Sequence, residues 1–178
     1  MVPDDDHILV RQCLGGDPKA FEALVDRYEK KIFNVALRVT DNYDDAEDVS
    51  QSAFIKAYEK LDTFDSKYKF FSWLYRIVVN ESLNFVNQLQ RFEKLDDSYA
   101  SKERTPEEYF DQIVAKNAVQ EALMNLSLEH RVVIVLKHFQ NLSYDEISFV
   151  LDLPEKTVKS RLYTARQSLK SILLRKAL

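Results

Sequence analysis

At 178 residues, with 46% hydrophobic and 30% charged side chains, the chain has the balance of a folded soluble protein and room for one ordinary domain or two small ones. Two glycines and four prolines are too few for the turns of a β-rich fold, so composition predicts an almost entirely helical protein. The lone cysteine, Cys13, excludes an internal disulfide, and the net charge of −4 argues against a uniformly nucleic-acid-binding surface.

Taken in chain order, the acidic start with Asp4, Asp5 and Asp6 is unlike a signal peptide. Asp17-Pro18 reads as an N-cap and first helical residue. Apolar side chains then recur at Phe21, Leu24, Val25, Tyr28, Ile32, Val35, Ala36 and Val39, a helical stripe. The polar segment 41–45 closes that helix and caps a second over 43–61, with Ala46, Val49, Ala53, Ala57 and Leu61 facing inward. After a short aromatic loop, a third helix is expected over 70–91, carrying Leu74, Ile77, Val78, Phe85 and Leu89 inward.

Periodicity fails over 92–105, which reads as a linker. Thr105-Pro106-Glu107-Glu108 fits a capping box and opens a helix to about Asn125. Ser127 caps a further helix through Phe139, and Ser143-Tyr144-Asp145-Glu146 repeats the capping box before a short helix ending near Leu151. Pro154 opens the last helix, to about Arg175. The expectation is an all-α protein of two small helical domains, 1–91 and 107–178, joined by a flexible linker at 92–106. The longest apolar run, 132–136, is far below the ~18 residues of a membrane span, so a cytoplasmic location is expected.

Charge is unevenly spread. Beyond Glu155 stand Lys156, Lys159, Arg161, Arg166, Lys170, Arg175 and Lys176 with no acidic side chain among them. The short helix, the break at Asp152-Leu153-Pro154 and this basic helix form a helix-turn-helix pattern. Ile147, Val150, Leu151, Val158 and Leu162 have the spacing to pack the two helices together. Lys156, Thr157, Lys159, Ser160, Tyr163 and Arg166 are left outward, the donors expected of a helix in a major groove. A soluble hairpin with a basic face explains the same pattern, since cations near a helix C-terminus are favourable in any case.

Two stretches of the first half also carry signal. Asp45, Asp48, Gln51, Phe54, Ile55 and Tyr58 lie at spacings of three and four, which suits a docking ridge for a basic partner with Phe54 or Tyr58 as apolar anchor. The acidic first turn is explained equally by the helix dipole. Further on, Phe64, Tyr68, Phe70, Phe71, Trp73 and Tyr75 are interleaved with Lys60, Lys67, Lys69 and Arg76. Rings that stack bases and cations that track a backbone suit single-stranded nucleic acid. Clustered aromatics are also ordinary core, to which Phe71 and Leu74 are assigned.

Three stretches in register resemble the extracytoplasmic-function (ECF) sigma factors, group 4 of the sigma-70 family. Asp45-Ala46-Glu47-Asp48-Val49-Ser50-Gln51-Ser52-Ala53-Phe54 resembles the helix that binds core polymerase. Phe71-Ser72-Trp73-Leu74-Tyr75-Arg76-Ile77-Val78-Val79-Asn80 resembles the promoter-melting segment. Leu142-Ser143-Tyr144-Asp145-Glu146-Ile147 with Thr157-Val158-Lys159-Ser160-Arg161-Leu162 resembles the second DNA-binding region.

The resemblance implies a transcription initiation factor whose partners are bacterial core RNA polymerase, through its β′ clamp helices, and promoter DNA. An anti-sigma factor, in many relatives membrane-bound, is implied as a further partner. The acidic helix would sit on the clamp. The loop 62–70 with Asn80 would hold a base flipped from the −10 element, with Lys60, Phe64, Lys67, Tyr68, Lys69, Trp73 and Arg76 around it. The last helix would read the −35 element through Lys156, Thr157, Lys159, Ser160, Arg161, Tyr163 and Arg166. The chain departs from the family pattern in its uncharged stretch 84–90, at Lys156 where relatives usually have glycine, and at Thr164 where a basic residue is common.

Two other classes compete for the same features. A two-domain helix-turn-helix regulator explains the C-terminal half but leaves the acidic ridge and the aromatic loop without a role. An enzyme is disfavoured: His7, His130 and His138 are not spaced as metal ligands, and neither a glycine-rich phosphate loop nor a nucleophile beside a base is evident. No cofactor, metal or small-molecule substrate is expected.

Overall fold

The computed structural model describes the chain over residues 5–95 and 113–176, with side chains described over 5–92 and 118–175. The described residues form eight α-helices and no strand. The expected capping box at Thr105 and most of the expected linker lie outside the described residues.

The first helix, α1 (Asp5–Leu14), was not anticipated, because its apolar face is thin. What holds it is a polar anchor. The Asp6 carboxylate is buried and accepts hydrogen bonds from Arg27 and from the Tyr28 hydroxyl, while Val10 packs into the core. Helix α2 (Pro18–Thr40) follows, capped by Asp17, whose carboxylate accepts from the Lys19 N–H at 3.0 Å. Such a cap contributes about 1 kcal/mol. Helix α2 ends at Asp41, held left-handed at φ 61° with its N–H bonded to the Leu37 carbonyl.

Helix α3 (Tyr43–Glu59) starts at Asn42, whose side chain accepts from Asp45 N–H at 3.1 Å. Its inward positions Ala46, Val49, Ala53 and Ala57 are all buried, and their small size lets α3 lie close against α2. A 3₁₀ turn (Leu61–Thr63) leads through the aromatic loop to α4 (Phe70–Leu95), which runs past the expected end at Arg91. Leu74 and Val78 are buried on α4 as expected, whereas Leu89 is 42% exposed and packs in no core.

The second half builds α5 (Ile113–Met124) and α6 (Leu128–Ile134), the latter N-capped by Ser127 and continued by a π turn (Val135–Phe139). Helix α7 (Tyr144–Leu151) is opened by the Ser143 capping box: the Glu146 N–H donates to the Ser143 hydroxyl at 3.1 Å and the Ser143 N–H donates to Glu146 at 2.8 Å. Helix α8 (Glu155–Lys176) starts on the Pro154 carbonyl, which accepts from Thr157 and Val158. Ile147, Val150, Val158 and Leu162 close the α7–α8 core as their spacing predicts, with Leu151 half-buried at its edge. The breaks at Asp41, Asn141 and Asp152 share one device, an Asp or Asn at positive φ, where a short polar side chain tolerates the left-handed region.

The two helical units are packed against each other. One continuous set of buried apolar side chains runs from Ile32 and Val78 to Val133 and Ile147. Helix α7 lies on α4, and α6 with its π turn meets α2.

Candidate nucleic-acid and polymerase surfaces

On α3, Asp48, Gln51, Ile55 and Tyr58 form an exposed ridge, with Ile55 57% and Tyr58 54% exposed and Asp45 half-buried at its head. Tyr58 is steadied by an edge contact with Phe21, ring centroids 5.0 Å apart. Phe54 does not belong to this ridge. It is half-buried against the core, because position 54 falls on the flank next to inward-facing Ala53 and Ala57. Of the two side chains expected as an apolar anchor, only Tyr58 is exposed, with Ile55 beside it.

The aromatic segment divides by burial. Phe64 meets Phe70 and Trp73 edge to face at centroid separations of 5.7 and 5.6 Å, and Phe70 and Trp73 lie tilted against each other at 5.7 Å. Trp73 is only 9% exposed, so it supports the loop and presents no free ring face, contrary to its assignment to a DNA surface. Phe64 is half-buried and also meets His7. The His7 ring nitrogen bonds the Tyr68 carbonyl at 3.2 Å, which ties α1 to the loop. Lys60, Lys67, Tyr68, Lys69 and Asn80 are exposed, and Arg76 is half-buried. Lys60 and Asn80 meet in a depression of about 510 Å³, whose floor includes Ile77 and the Lys56–Glu81 ion pair at 2.6 Å.

Tyr68, Lys69 and Arg76 face α7. The Tyr68 and Phe149 rings are stacked, centroids 4.0 Å apart and planes 21° from parallel. Lys69 Nζ donates to Glu146 at 2.8 Å, and Arg76 lies 3.6 Å from Asp152 and over the Phe149 ring. Burial pushes the Glu146 carboxyl up, but hydrogen bonds from Lys69 and from Ser143 outweigh it and hold the group below its ordinary range. Beside this contact the Tyr75 hydroxyl donates to Gln140 at 2.8 Å, and burial pushes its pKa up to about 12.

On α8, Lys156, Lys159, Ser160, Tyr163 and Arg166 are exposed along one face, Tyr163 by 66%. Thr157, expected outward, is half-buried because it turns beside Val158 toward α7. Arg161 is half-buried and reaches Glu129 at 3.0 Å, and Lys159 pairs with Glu155 at 2.5 Å. That pairing raises the Lys159 pKa, chiefly through the Glu155 hydrogen bond. Arg166 Nε donates to His138 Nε2 at 3.1 Å. Burial, then Arg166 and Lys137, lower the His138 pKa, so the ring stays neutral and accepts that bond.

Glu129, Gln140 and Phe149, which touch the candidate surfaces, carry no signal in the sequence, and Glu146 and Asp152 are marked there only as a helix cap and a helix break. Their partners on those surfaces lie 32 to 81 positions away, and no local pattern marks such contacts. No group of His, Cys, Asp and Glu suited to a metal ion occurs among the described residues, and no described helix is long and apolar enough to cross a membrane.

A helix-turn-helix with a cationic second helix, joined to a bundle that carries an acidic ridge and an aromatic-cationic loop, defines a DNA-binding protein with a separate docking face. The comparisons give the family. Residues 24–92 match the model of sigma-70 region 2 and residues 116–169 that of sigma-70 region 4. The chain is 34% identical over 173 residues to the ECF RNA polymerase sigma factor SigW of Bacillus subtilis, covering 90% of this chain and 92% of that protein. It is 36% identical over 176 residues to the ECF RNA polymerase sigma-E factor of Escherichia coli, covering 92% of each. Among solved structures, CnrH in complex with the cytosolic domain of CnrY superposes with a TM-score of 0.75 at 30% identity, covering 96% of this chain and 97% of that one. RpoE of Bartonella quintana, solved with the anti-sigma factor NepR, has the same fold at a TM-score of 0.76 and 24% identity, covering 87% of this chain and 97% of that one.

The chain belongs to the ECF sigma factors of the sigma-70 family. It is a transcription initiation factor that directs RNA polymerase to promoters, and sigma factors are not enzymes. The alternative of a regulator without a polymerase partner is set aside.

Proposed function

We propose that this sigma factor works as a cytoplasmic protein with no catalytic activity of its own, through two units. Residues 1–91 seat it on core polymerase and open the −10 element, residues 107–178 grip the −35 duplex, and 92–106 tether them. The observation that carries this division is the segregation of surface chemistry. An acidic and apolar ridge (Asp48, Gln51, Ile55, Tyr58) stands on α3, and a cationic face (Lys156, Lys159, Tyr163, Arg166) stands on α8.

The ridge suits the β′ clamp helices, with Tyr58 and Ile55 as apolar anchors and Asp45 and Asp48 supplying charge. The loop around Lys60, Lys67, Tyr68 and Lys69, with Arg76 and Asn80 of α4, suits a single strand, its bases on the Tyr68 ring and its phosphates on the cations. Phe64 and Trp73 act from behind by stiffening the loop. Extracting a base from the duplex costs a few kcal/mol, which polymerase binding and these contacts must offset. On α8, Lys156, Lys159 and Arg166 with Ser160 and Tyr163 suit phosphates and base edges in the −35 major groove. Thr157 and Arg161 contribute from the edge of that face. CnrH, solved with the cytosolic domain of CnrY bound, supports a silencing protein partner of the anti-sigma kind, free or membrane-tethered.

Run-off transcription with purified core polymerase, combined with permanganate mapping of unpaired thymines, tests the assignment. Initiation that depends on this chain, with reactive thymines at −10, is the expected result. Duplex binding without initiation would return the chain to the regulator class.

A further inference from the structure

Helix α1 carries none of the ridge, loop or cationic-face side chains, yet it reaches the loop 64–69 between the 3₁₀ turn and α4. His7 is half-buried there and touches the loop at both ends. Its ring meets Phe64 edge-on at 5.5 Å, and its Nε2 lies 3.2 Å from the Tyr68 carbonyl. A carbonyl can only accept, so Nε2 carries the hydrogen and donates.

The loop's own hydrogen bonds do not do the same work. The Phe64 N–H donates to the Leu61 carbonyl, the Tyr68 N–H to the Asp65 carbonyl and the Lys67 N–H to the Asp65 carboxylate, each within three positions. Bonds that local set the curl of the turn and leave its tilt against the bundle free. On the α1 side the tilt is set by Phe64 on Phe70 and Trp73, and by His7. The peptide that His7 holds joins Tyr68 to Lys69 and is planar. Fixing its direction therefore fixes the directions in which a ring and a cation leave the chain.

His7 is itself placed by its neighbour. The buried Asp6 carboxylate accepts from Arg27 and from the Tyr28 hydroxyl. The Tyr28 ring lies 5.8 Å from Phe70, which meets Phe64 at 5.7 Å. Asp6, Tyr28, Phe70, Phe64 and His7 thus close a circuit of contacts that returns to α1. A close-packed cluster has little room to relax, so the position of α1 is passed to the loop.

We propose that His7 is a positioning residue for promoter opening: through the Tyr68 carbonyl and the Phe64 ring it holds the loop at the tilt in which Tyr68 and its neighbouring cations meet the −10 strand. This rests on the assignment of Tyr68 and Lys69 to the −10 surface. His7 touches no DNA in this role. It removes the ordering cost that a loose loop would meet on binding. The effect falls on the opening step, because the ridge on α3 and the cationic face on α8 make no contact with His7.

The experiment uses holoenzyme reconstituted from core polymerase and the full-length chain, at a promoter from which the wild type initiates. His7→Phe keeps a ring against Phe64 and lacks the donor, whereas His7→Gln keeps an N–H and lacks the ring. Val10→Ala loosens α1 on the core and leaves both His7 contacts in place. Stopped-flow fluorescence of 2-aminopurine in the −10 element, over a range of holoenzyme concentrations, separates closed-complex affinity from opening rate. His7→Phe is expected to slow opening about fivefold, the effect of one hydrogen bond, with affinities for core and closed complex unchanged. His7→Gln is expected to recover most of the rate, and Val10→Ala to lower the melting temperature without slowing opening. If His7→Phe does not fold, His7→Ala takes its place beside His7→Gln, since alanine favours the helix.

Trp73, the single tryptophan of the chain, packs on Phe64, so acrylamide quenching of its fluorescence in the free protein reads the loop directly. Quenching should rise in His7→Phe and stay near wild type in His7→Gln. Opening by His7→Phe at the wild-type rate, or equal slowing by Val10→Ala, would overturn the positioning role and leave the −10 assignment standing. Normal opening by Tyr68→Ala holoenzyme would remove that assignment and the role of His7 with it.

Discussion

Arg131 of α6 donates from Nη1 to the carbonyl of Val39 at the end of α2, 2.6 Å away. The other guanidinium donors hold the carbonyls of Leu123, Met124 and Leu126, so one buried cation closes the C-terminal ends of helices from both units. Burial pushes its pKa down and Asp41 acts against that, yet a guanidinium stays charged. The four acceptors and the negative end of α2 replace its lost water.

Replacing Arg131 strands those carbonyls. Arg131→Met is expected to destabilise the protein by about 3 kcal/mol, in the range for breaking a buried charged network. Arg131→Lys recovers only a small part, because an ammonium cannot match the planar fork. Urea denaturation of both variants checks this, and a loss below about 1 kcal/mol in Arg131→Met would show that the carbonyls find other partners.

The Arg166–His138 bond makes stability depend on pH. The native state lowers the His138 pKa below its ordinary 6.5, so the favourable contribution is complete above that value and declines as pH falls through the native one. Urea midpoints measured from pH 8 to pH 5 should drop below about pH 6.5 in the wild type. His138→Gln should flatten that part of the profile; an unchanged slope would assign it to another group.

Tyr58 and Phe54, four positions apart on α3, should separate binding from folding. Tyr58→Ala is expected to weaken core-polymerase binding by about 2 kcal/mol, roughly thirtyfold, with little loss of stability. Phe54→Ala should lower the melting temperature and leave the affinity of the folded protein nearly unchanged. Asp48→Lys should impair binding through charge. Interferometry on immobilised core enzyme, paired with thermal melts, distinguishes these outcomes.

On α8, Lys159 and Arg161 differ in their surroundings: the first is exposed and the second half-buried. Lys159→Ala should weaken −35 duplex binding and reduce the salt slope by about one, the signature of one lost phosphate contact. Arg161 is shared with Glu129, so Glu129→Gln should free it and tighten binding at low salt. Anisotropy titrations over a salt series measure both effects, and a Lys159→Ala slope equal to wild type would move the phosphate contact elsewhere.

Ser143→Ala tests the capping box that aims α7. A loss of about 1 kcal/mol is expected on removal of its hydroxyl. Helicity by circular dichroism should fall little, since α7 remains packed through Ile147 and Val150.

Most of the helices were legible because their determinants are local. Asp17-Pro18, Ser127 and Ser143 with Glu146 satisfy N–H groups within three positions of themselves. The inward stripes of α2 and α3 follow from a period of 3.6 residues and are buried as that period demands. Helix α1 was not legible, because Asp6 is held by Arg27 and Tyr28 more than twenty positions away.

The candidate surfaces divide along the same line. Composition and spacing alone marked the acidic ridge, the aromatic-cationic loop and the acid-free stretch beyond Glu155, since charge sign and helical period belong to the chain. Which rings are free did not follow from them. Trp73 and Phe64 went into the aromatic core while Tyr68 stayed out, and that choice depends on neighbours such as His7 and Phe70. The stacking of Phe149 on Tyr68, across 81 positions, arises only when the two halves of the chain meet. Short-range hydrogen bonds and periodic burial can be written into a few consecutive residues, whereas a contact between units is set by the shape and charge of two finished surfaces.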